Sequence, residues 1–195
     1  MTEVMLGKAG IVDVVVATTC KGLMVAPAKP DLANAEVVMV GMSKKFVRLR
    51  TEIEKIEQTF NYIIIDCPPS LSLLTVNAMI ASNWLLLPVQ TEFYALEGVS
   101  QLLESMKLVK KAMNPRLKLL GVLATMHDKR TALSGQVLLE VKKYFKNKVF
   151  DVIIPRNVRL AEAPSHGVPV GIYDRFSKGA RAYKELATEV EERTK

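Results

Sequence analysis

The chain has 195 residues, 49% of them apolar, and a formal net charge of +7 at pH 7, which suits one globular domain with a sizeable core and argues against disorder. Its apolar runs, such as 84–89 and 119–124, fall far short of the roughly 20 residues a membrane span needs. The opening residues lack a basic stretch, an apolar run and a small-residue cleavage site, so no membrane association and a cytoplasmic location are expected.

The charge is uneven. Residues 1–100 carry eight Lys/Arg against ten Asp/Glu, whereas 101–195 carry nineteen against ten. A basic excess confined to one half points to a polyanion partner, most simply nucleic acid; a well-solvated basic surface would show the same composition. Cys20 and Cys67, with only two histidines, offer neither a Cys-x-x-Cys spacing nor a metal-ligand set, and buried thiols are expected. Met5, Met24, Met39 and Met42 are expected as core or interface fillers.

In the first forty residues, 12–17 and 23–28 each suit a short strand. From Ser43 onward Phe46, Leu49, Ile53, Ile56 and Phe60 recur at steps of three and four with charges between them, which predicts an amphipathic helix ending at Asn61. Tyr62-Ile63-Ile64-Ile65-Asp66 is a continuous, β-branched run that predicts a strand buried on both faces, stopped by Pro68-Pro69. Ser70 is placed to cap a helix carrying Leu73, Leu74, Asn77 and Ala78. Residues 84–89 form the next buried strand. A helix over 95–113, closed by Asn114-Pro115, a strand over 117–125, a helix over 134–145, a strand over 149–154 and a helix from Lys178 follow. Strand and helix in turn predict an α/β fold: one domain, 1–195, with a mainly parallel sheet flanked by helices on both faces. Ligands in such sheets sit at the carboxyl ends of the strands.

Asp66 ends its apolar run, where a carboxylate would hold a phosphate-bound Mg²⁺ through water in a Walker B type arrangement. An Asp there also suits an ordinary turn. The surrounding residues add more. Asp66-Cys67-Pro68-Pro69-Ser70-Leu71, Leu74-Thr75-Val76-Asn77-Ala78, the run 88–98 (Pro-Val-Gln-Thr-Glu-Phe-Tyr-Ala-Leu-Glu-Gly) and the run 154–167 (Ile-Pro-Arg-Asn-Val-Arg-Leu-Ala-Glu-Ala-Pro-Ser-His-Gly) stand in an order and spacing that resemble the ParA/Soj partitioning ATPases of the MinD/ParA superfamily. The resemblance runs from about Leu6 to Glu191.

It implies a P-loop NTPase-like fold, ATP and Mg²⁺ as ligands, and a role in chromosome or plasmid partition. The partners it implies are non-specific DNA, a ParB-type centromere-binding protein and a second copy in a homodimer, at a nucleoid-associated location. By the same resemblance Arg130 and Arg159 match positions of sequence-independent DNA binding, with Lys129 beside them and Lys142, Lys143, Lys146 and Lys148 broadening the patch. Ordinary solvated charges are the competing account of each. Pro155, Arg156 and Asn157 match the part of the family that lines the adenine, and Asp66 would meet Mg²⁺ only if nucleotide binds. His166 reads as a loop histidine.

One departure matters. The family's ATPases open with a deviant Walker A loop, Lys-Gly-Gly-x-Gly-Lys-Thr-Thr, and a strand ending in Asp-x-Asp-Pro; these 195 residues hold neither. The lone Gly-Lys pair, Gly7-Lys8, is followed by Ala9 and cannot form a phosphate cradle. Met1 is expected to correspond to an internal position of a longer ancestral sequence, the catalytic set to be incomplete, and ATP binding and hydrolysis to be impaired. The gap would be closed either by the remaining strands, 23–28 included, in a smaller sheet or by two copies burying it against each other.

Three alternatives stand beside this reading. A MinD-like cell-division-site regulator would need a lipid-binding last helix, which Glu185, Glu189, Glu191 and Glu192 make too acidic. A nitrogenase-type iron protein would need cluster cysteines. The third is a non-functional fragment of a conventional partition ATPase.

Overall fold

In the computed structural model, which describes residues 1–68, 70–94 and 98–195, residues 1–83 and 102–117 group into one unit and 84–101 and 118–195 into another. The first unit is built from short helices: α1 (Thr2–Leu6), α2 (Leu32–Val40), α3 (Arg48–Ile53) and α4 (Leu73–Ala81). Val4, Met5, Ile11, Met39, Leu49, Ile53, Ile56 and Ala78 form its core. Residues 16–17 (β1) and 24–25 (β2) pair antiparallel as a two-residue hairpin. Met5 and Met39 are thus core fillers, while Met24 lies exposed on β2.

Helix α3 is shorter than its apolar spacing suggests. Lys44 takes a left-handed φ of 58°, which an L residue cannot hold inside a helix, and the chain unwinds into turns after Ile53. Ile56 and Phe60 still reach the core, so the apolar face holds from Leu49 onward although the helix does not, and Phe46 lies exposed. Helix α4 is capped by Ser72, whose Oγ accepts from Leu74 N at 3.2 Å. Ser70, two residues earlier than the cap, instead uses its carbonyl to accept the Thr75 hydroxyl at 2.7 Å. Asn77, fully buried on α4, accepts from Leu49 N (3.3 Å) and donates to the carbonyls of Lys45 (2.7 Å) and Leu73 (2.9 Å). It ties the start of α3 to α4.

The second unit holds the parallel pair β3 (Trp84–Gln90) and β4 (Lys118–Thr125), in register from Trp84 opposite Lys118 to Gln90 opposite Thr125 with one irregularity between Leu85 and Leu86. Leu120, Val122, Leu123 and Ala124 are all buried; consecutive burial means that both faces of β4 are covered. One face packs on Phe150, Ile154, Ala182 and Leu186, the last two from α9 (Lys178–Thr194). α6 (Ala132–Phe145) is its longer crossover helix, and α7 (Val158–Glu162) and α8 (Val170–Tyr173) are short; α5 (Val99–Ala112) begins here, but its residues from 102 onward belong to the first unit. The expected start of the α5 helix, 95–97, lies outside the described residues, as does Pro69. No described helix is long and apolar enough to cross a membrane.

Two predicted strands are absent as strands. Residues 62–66 form no strand with any described residue; Ile64 is 91% exposed and Ile63 is exposed as well. A strand buried on both faces needs neighbours on both backbone edges, and in its unit the only ladder among the described residues is the β1–β2 hairpin. The remaining strands therefore do not close into a smaller sheet over this segment, and β2 pairs with β1 instead. Cys67, on the same stretch, is exposed rather than buried. Partial desolvation of the sulfur, then the charge of Asp66, raises its thiol above the ordinary range, which keeps it a weak nucleophile near neutrality.

Residues 149–154 follow β4 only in part. Val149 bridges Val122, and Phe150 N and Ile154 N donate to the carbonyls of Val122 and Ala124, each at 2.9 Å. Between them the N–H groups of Asp151 and Val152 both turn to the Glu189 carboxylate at 3.0 Å, which breaks the ladder. Arg193 completes this knot: it pairs with Glu189, donates to the carbonyls of Leu120 and Val149, and lies over the Phe150 ring at 4.1 Å. A Cβ on Gly121 would fall 2.6 Å from the Lys148 carbonyl oxygen, so only glycine lets the backbones meet there.

Burial by itself would raise the Glu189 carboxyl, but the Val152 and Asp151 N–H groups and Arg193 outweigh it and hold it below the ordinary glutamate value. Glu52 behaves alike: burial raises it, and Lys55, the Ile11 N–H and Arg48 bring it below normal. Groups lowered on folding stabilise fully above the unfolded glutamate value of about 4.3, and that stability is lost as pH falls through the folded values. Denaturant midpoints measured from pH 7 to pH 3 should drop across this window, and Glu189→Gln should flatten the drop. An unchanged slope in the variant would refute the assignment to Glu189.

Candidate nucleic-acid interface

The carboxyl end of β4 runs through Met126 and His127 into the loop 128–131 and then α6. His127 N donates to the Ile154 carbonyl (3.1 Å) and its carbonyl accepts from Arg156 N (2.9 Å), so His127 and Pro155 form a parallel bridge. This bridge brings two basic segments, Lys129-Arg130 and Arg156-Asn157-Val158-Arg159, to one end of the strand pair.

A buried polar cluster fixes the loop bases. Ser134 Oγ donates to the Thr91 carbonyl (3.1 Å) and accepts from Thr91 Oγ1 (3.2 Å) and Asp128 N (3.4 Å), which satisfies the hydroxyl completely. Thr91 Oγ1 also lies 3.4 Å from His127 Nδ1, with donor and acceptor set by the ring's tautomer. Thr91, His127 and Ser134 are all buried. They bind the loops after β3 and β4 together, and sequence reading missed all three. The only available signal was polar residues standing at the carboxyl ends of two apolar runs.

The presented arginines each meet carboxylates. Arg130 grips Asp128 with two parallel bonds, Nε to Oδ1 at 2.9 Å and Nη2 to Oδ2 at 2.7 Å, while its own N–H also bonds Oδ1 at 3.0 Å. Its side chain is nevertheless 86% exposed. Hydrogen bonds from the Arg130 side chain and backbone hold the Asp128 carboxyl far below the usual range, and Asp128 raises Arg130 in return. Arg159 pairs with Glu162 at 2.7 Å and Asp174 at 3.3 Å, and Arg156 pairs with Glu92. Lys129 is exposed. Helix α6, roughly 20 Å long, separates this edge from Lys142, Lys143, Lys146 and Lys148, which are exposed at its far end and beyond.

The residues expected to face nucleotide are divided between the units, Asp66 in the first and 155–157 in the second. Asp66 lies exposed on the irregular stretch 62–68, and no group of three or more His, Cys, Asp or Glu suited to a metal occurs among the described residues. Gly7 ends α1 as its left-handed cap, φ 73°, and the Arg48 guanidinium fills the space where a Cβ would stand. Gly7-Lys8 is thus a helix stop with no anion nest. In the loop 155–157, by contrast, Asn157 Oδ1 is buried without a partner and does not cap α7. A lone acceptor there fits the amino edge of a base, but among the described residues the phosphate half of a nucleotide finds no cradle, and those residues do not fit Mg-ATP as a whole. His166 stacks on Tyr173 at 4.8 Å, as a structural ring.

Comparison with known proteins fits this fold. The family model described as AAA domain matches residues 1–119. The sporulation initiation inhibitor protein Soj of Bacillus subtilis is 52% identical over 188 residues, 96% of this chain and 74% of that protein. The chromosome partitioning protein ParA of Myxococcus xanthus is 47% identical over 191 residues, 98% of this chain and 68% of that protein. Among solved structures, cobyrinic acid a,c-diamide synthase from Mycobacterium smegmatis with bound ADP and magnesium superposes with a TM-score of 0.80 at 36% identity, over 96% of this chain and 69% of that one. The cell division ATPase MinD of Pyrococcus furiosus shares the fold, with a TM-score of 0.74 at 23% identity over 98% of this chain and 74% of that one.

Proposed function

The chain belongs to the ParA/Soj family of chromosome-partitioning ATPases, and on that premise we propose that this polypeptide acts in partition as a DNA-surface binder that does not turn over ATP. The observation that carries the reading is the arginine edge, with Arg130, Arg156 and Arg159 presented at one end of β4. Guanidinium groups on loops suit phosphate oxygens, and contacts of this kind give affinity with little sequence preference. ATP and Mg²⁺ are the family's ligands; in this chain the loop 155–157 would meet the base without gripping the triphosphate. A ParB-type centromere-binding protein and a second copy of the chain are the protein partners proposed, in the cytoplasm at the nucleoid. Nothing observed favours the cell-division-site reading.

The test is a titration with a fluorescent duplex of arbitrary sequence at 50 and 150 mM salt. Arg130→Ala and Arg159→Ala should each weaken binding several-fold for every sequence alike and flatten the salt dependence. Equal affinity of wild type and the double variant would remove the reading.

A further inference from the structure

Arginine binds carboxylate and phosphate with the same planar two-bond geometry, and the three arginines of the proposed interface, among them the two that the DNA test targets, Arg130 and Arg159, already hold carboxylates of this chain. Arg130 makes the two-bond contact with Asp128, and Arg159 is shared between Glu162 and Asp174. We propose that Asp128, and Glu162 with Asp174, act as intramolecular phosphate surrogates that occupy Arg130 and Arg159 and must be displaced by the DNA backbone. The proposal rests on the DNA-binding reading of this edge and adds the residues that set its affinity.

The two pairs differ in how readily they open. The Arg130 side chain is 86% exposed and spans only two residues to a single carboxylate, whereas the Arg159 side chain is 46% exposed and touches two. Exposed ion pairs are weak and exchange easily with solvent ions. Arg130 is therefore the arginine that DNA captures first, and Arg159 is the one held back. The lowered Asp128 carboxyl agrees with a contact that is made throughout the neutral range.

Displacement also leaves a thermodynamic mark. A phosphate neutralised by a free arginine releases close to one condensed cation. When the arginine must first leave Asp128, the freed carboxylate attracts a cation back, and the net release falls. Masking thus makes both the affinity and its salt slope smaller than the number of arginines suggests.

The experiment measures duplex binding from 50 to 200 mM salt for wild type, Asp128→Asn, Glu162→Gln and a charge-matched control, Glu140→Gln, an exposed residue of α6 with no ion pair among the described residues. The amide introduced by Asp128→Asn keeps an oxygen that can accept the Arg130 N–H, so the loop is preserved. Asp128→Asn should tighten binding about 3–10-fold beyond the control and steepen the log–log salt slope toward the roughly 0.9 expected per phosphate. Glu162→Gln should gain less, since Asp174 remains. In an Arg130→Ala background, Asp128→Asn should do no more than Glu140→Gln. A gain no larger than the control's, a gain that persists without Arg130, or weaker binding by Asp128→Asn overturns the proposal while leaving wild-type binding, and hence the DNA reading, in place. Absence of binding by wild type and Asp128→Asn alike removes both.

Discussion

Incubated with Mg-ATP, with or without DNA, the 195-residue polypeptide should release phosphate no faster than a buffer blank. Phosphoryl transfer depends almost wholly on positioning and charge stabilisation by backbone N–H groups, a lysine and a held metal ion. Loss of one such donor in an enzyme typically lowers the rate by about 10²–10³. Here the Gly-Lys pair is occupied as a helix cap under Arg48 and Asp66 stands exposed and alone, so several donors are missing together. The loop 155–157 leaves only base contacts. At about 0.3 kcal/mol per atom for the ten heavy atoms of adenine, these supply about 3 kcal/mol, a dissociation constant of several millimolar. Phosphate release measured alongside a calorimetric titration tests both points. Magnesium-dependent binding in the micromolar range, or turnover that co-purifies with the polypeptide, would falsify the prediction.

Asn77→Ala should cost about 3 kcal/mol of stability, read as a lower denaturant midpoint at unchanged slope. The Asn77 side chain is fully buried and makes three hydrogen bonds. Its removal leaves the Leu49 N–H and the Lys45 carbonyl without partners, at about 1–3 kcal/mol for each buried group stranded. For a protein of this size the loss corresponds to roughly 6–12 °C in melting temperature, a large share of ordinary stability. Exposed Asn83→Ala serves as the control. A shift below about 1 kcal/mol would show that α3 and α4 are held together by apolar packing alone.

Much of the second unit was legible in the sequence. The apolar runs that became β3 and β4 and the extent of α6 and start of α9 were read to within two residues, because their own side chains bury both faces of β4, part of β3 and one helix face. Residues 62–66 show the limit of that logic. Three isoleucines in a row state a preference for burial, but only a neighbouring backbone can satisfy it. Residues 149–154 failed for another reason: Glu189, nearly forty positions away, takes two N–H groups from the ladder, and no local pattern announces such a capture. Ser72 replaced Ser70 as the α4 cap since two serines so close in the chain offer equivalent oxygens. The arginines were found through resemblance, whereas the carboxylates that hold them, each two to fifteen residues away, emerged only from geometry.

The stretch from Tyr62 to Asp66 also has a colloidal consequence. Ile63 to Ile65 carry the β-branched, uncharged character that favours intermolecular strand stacking, and Ile64 projects into water. Concentrated solutions of the polypeptide should tend toward ordered self-stacking through this ribbon, with the charge of Asp66 at one end to discourage it. A lysine at position 64 would act as a gatekeeper against that growth while leaving the arginine edge at β4 as it stands.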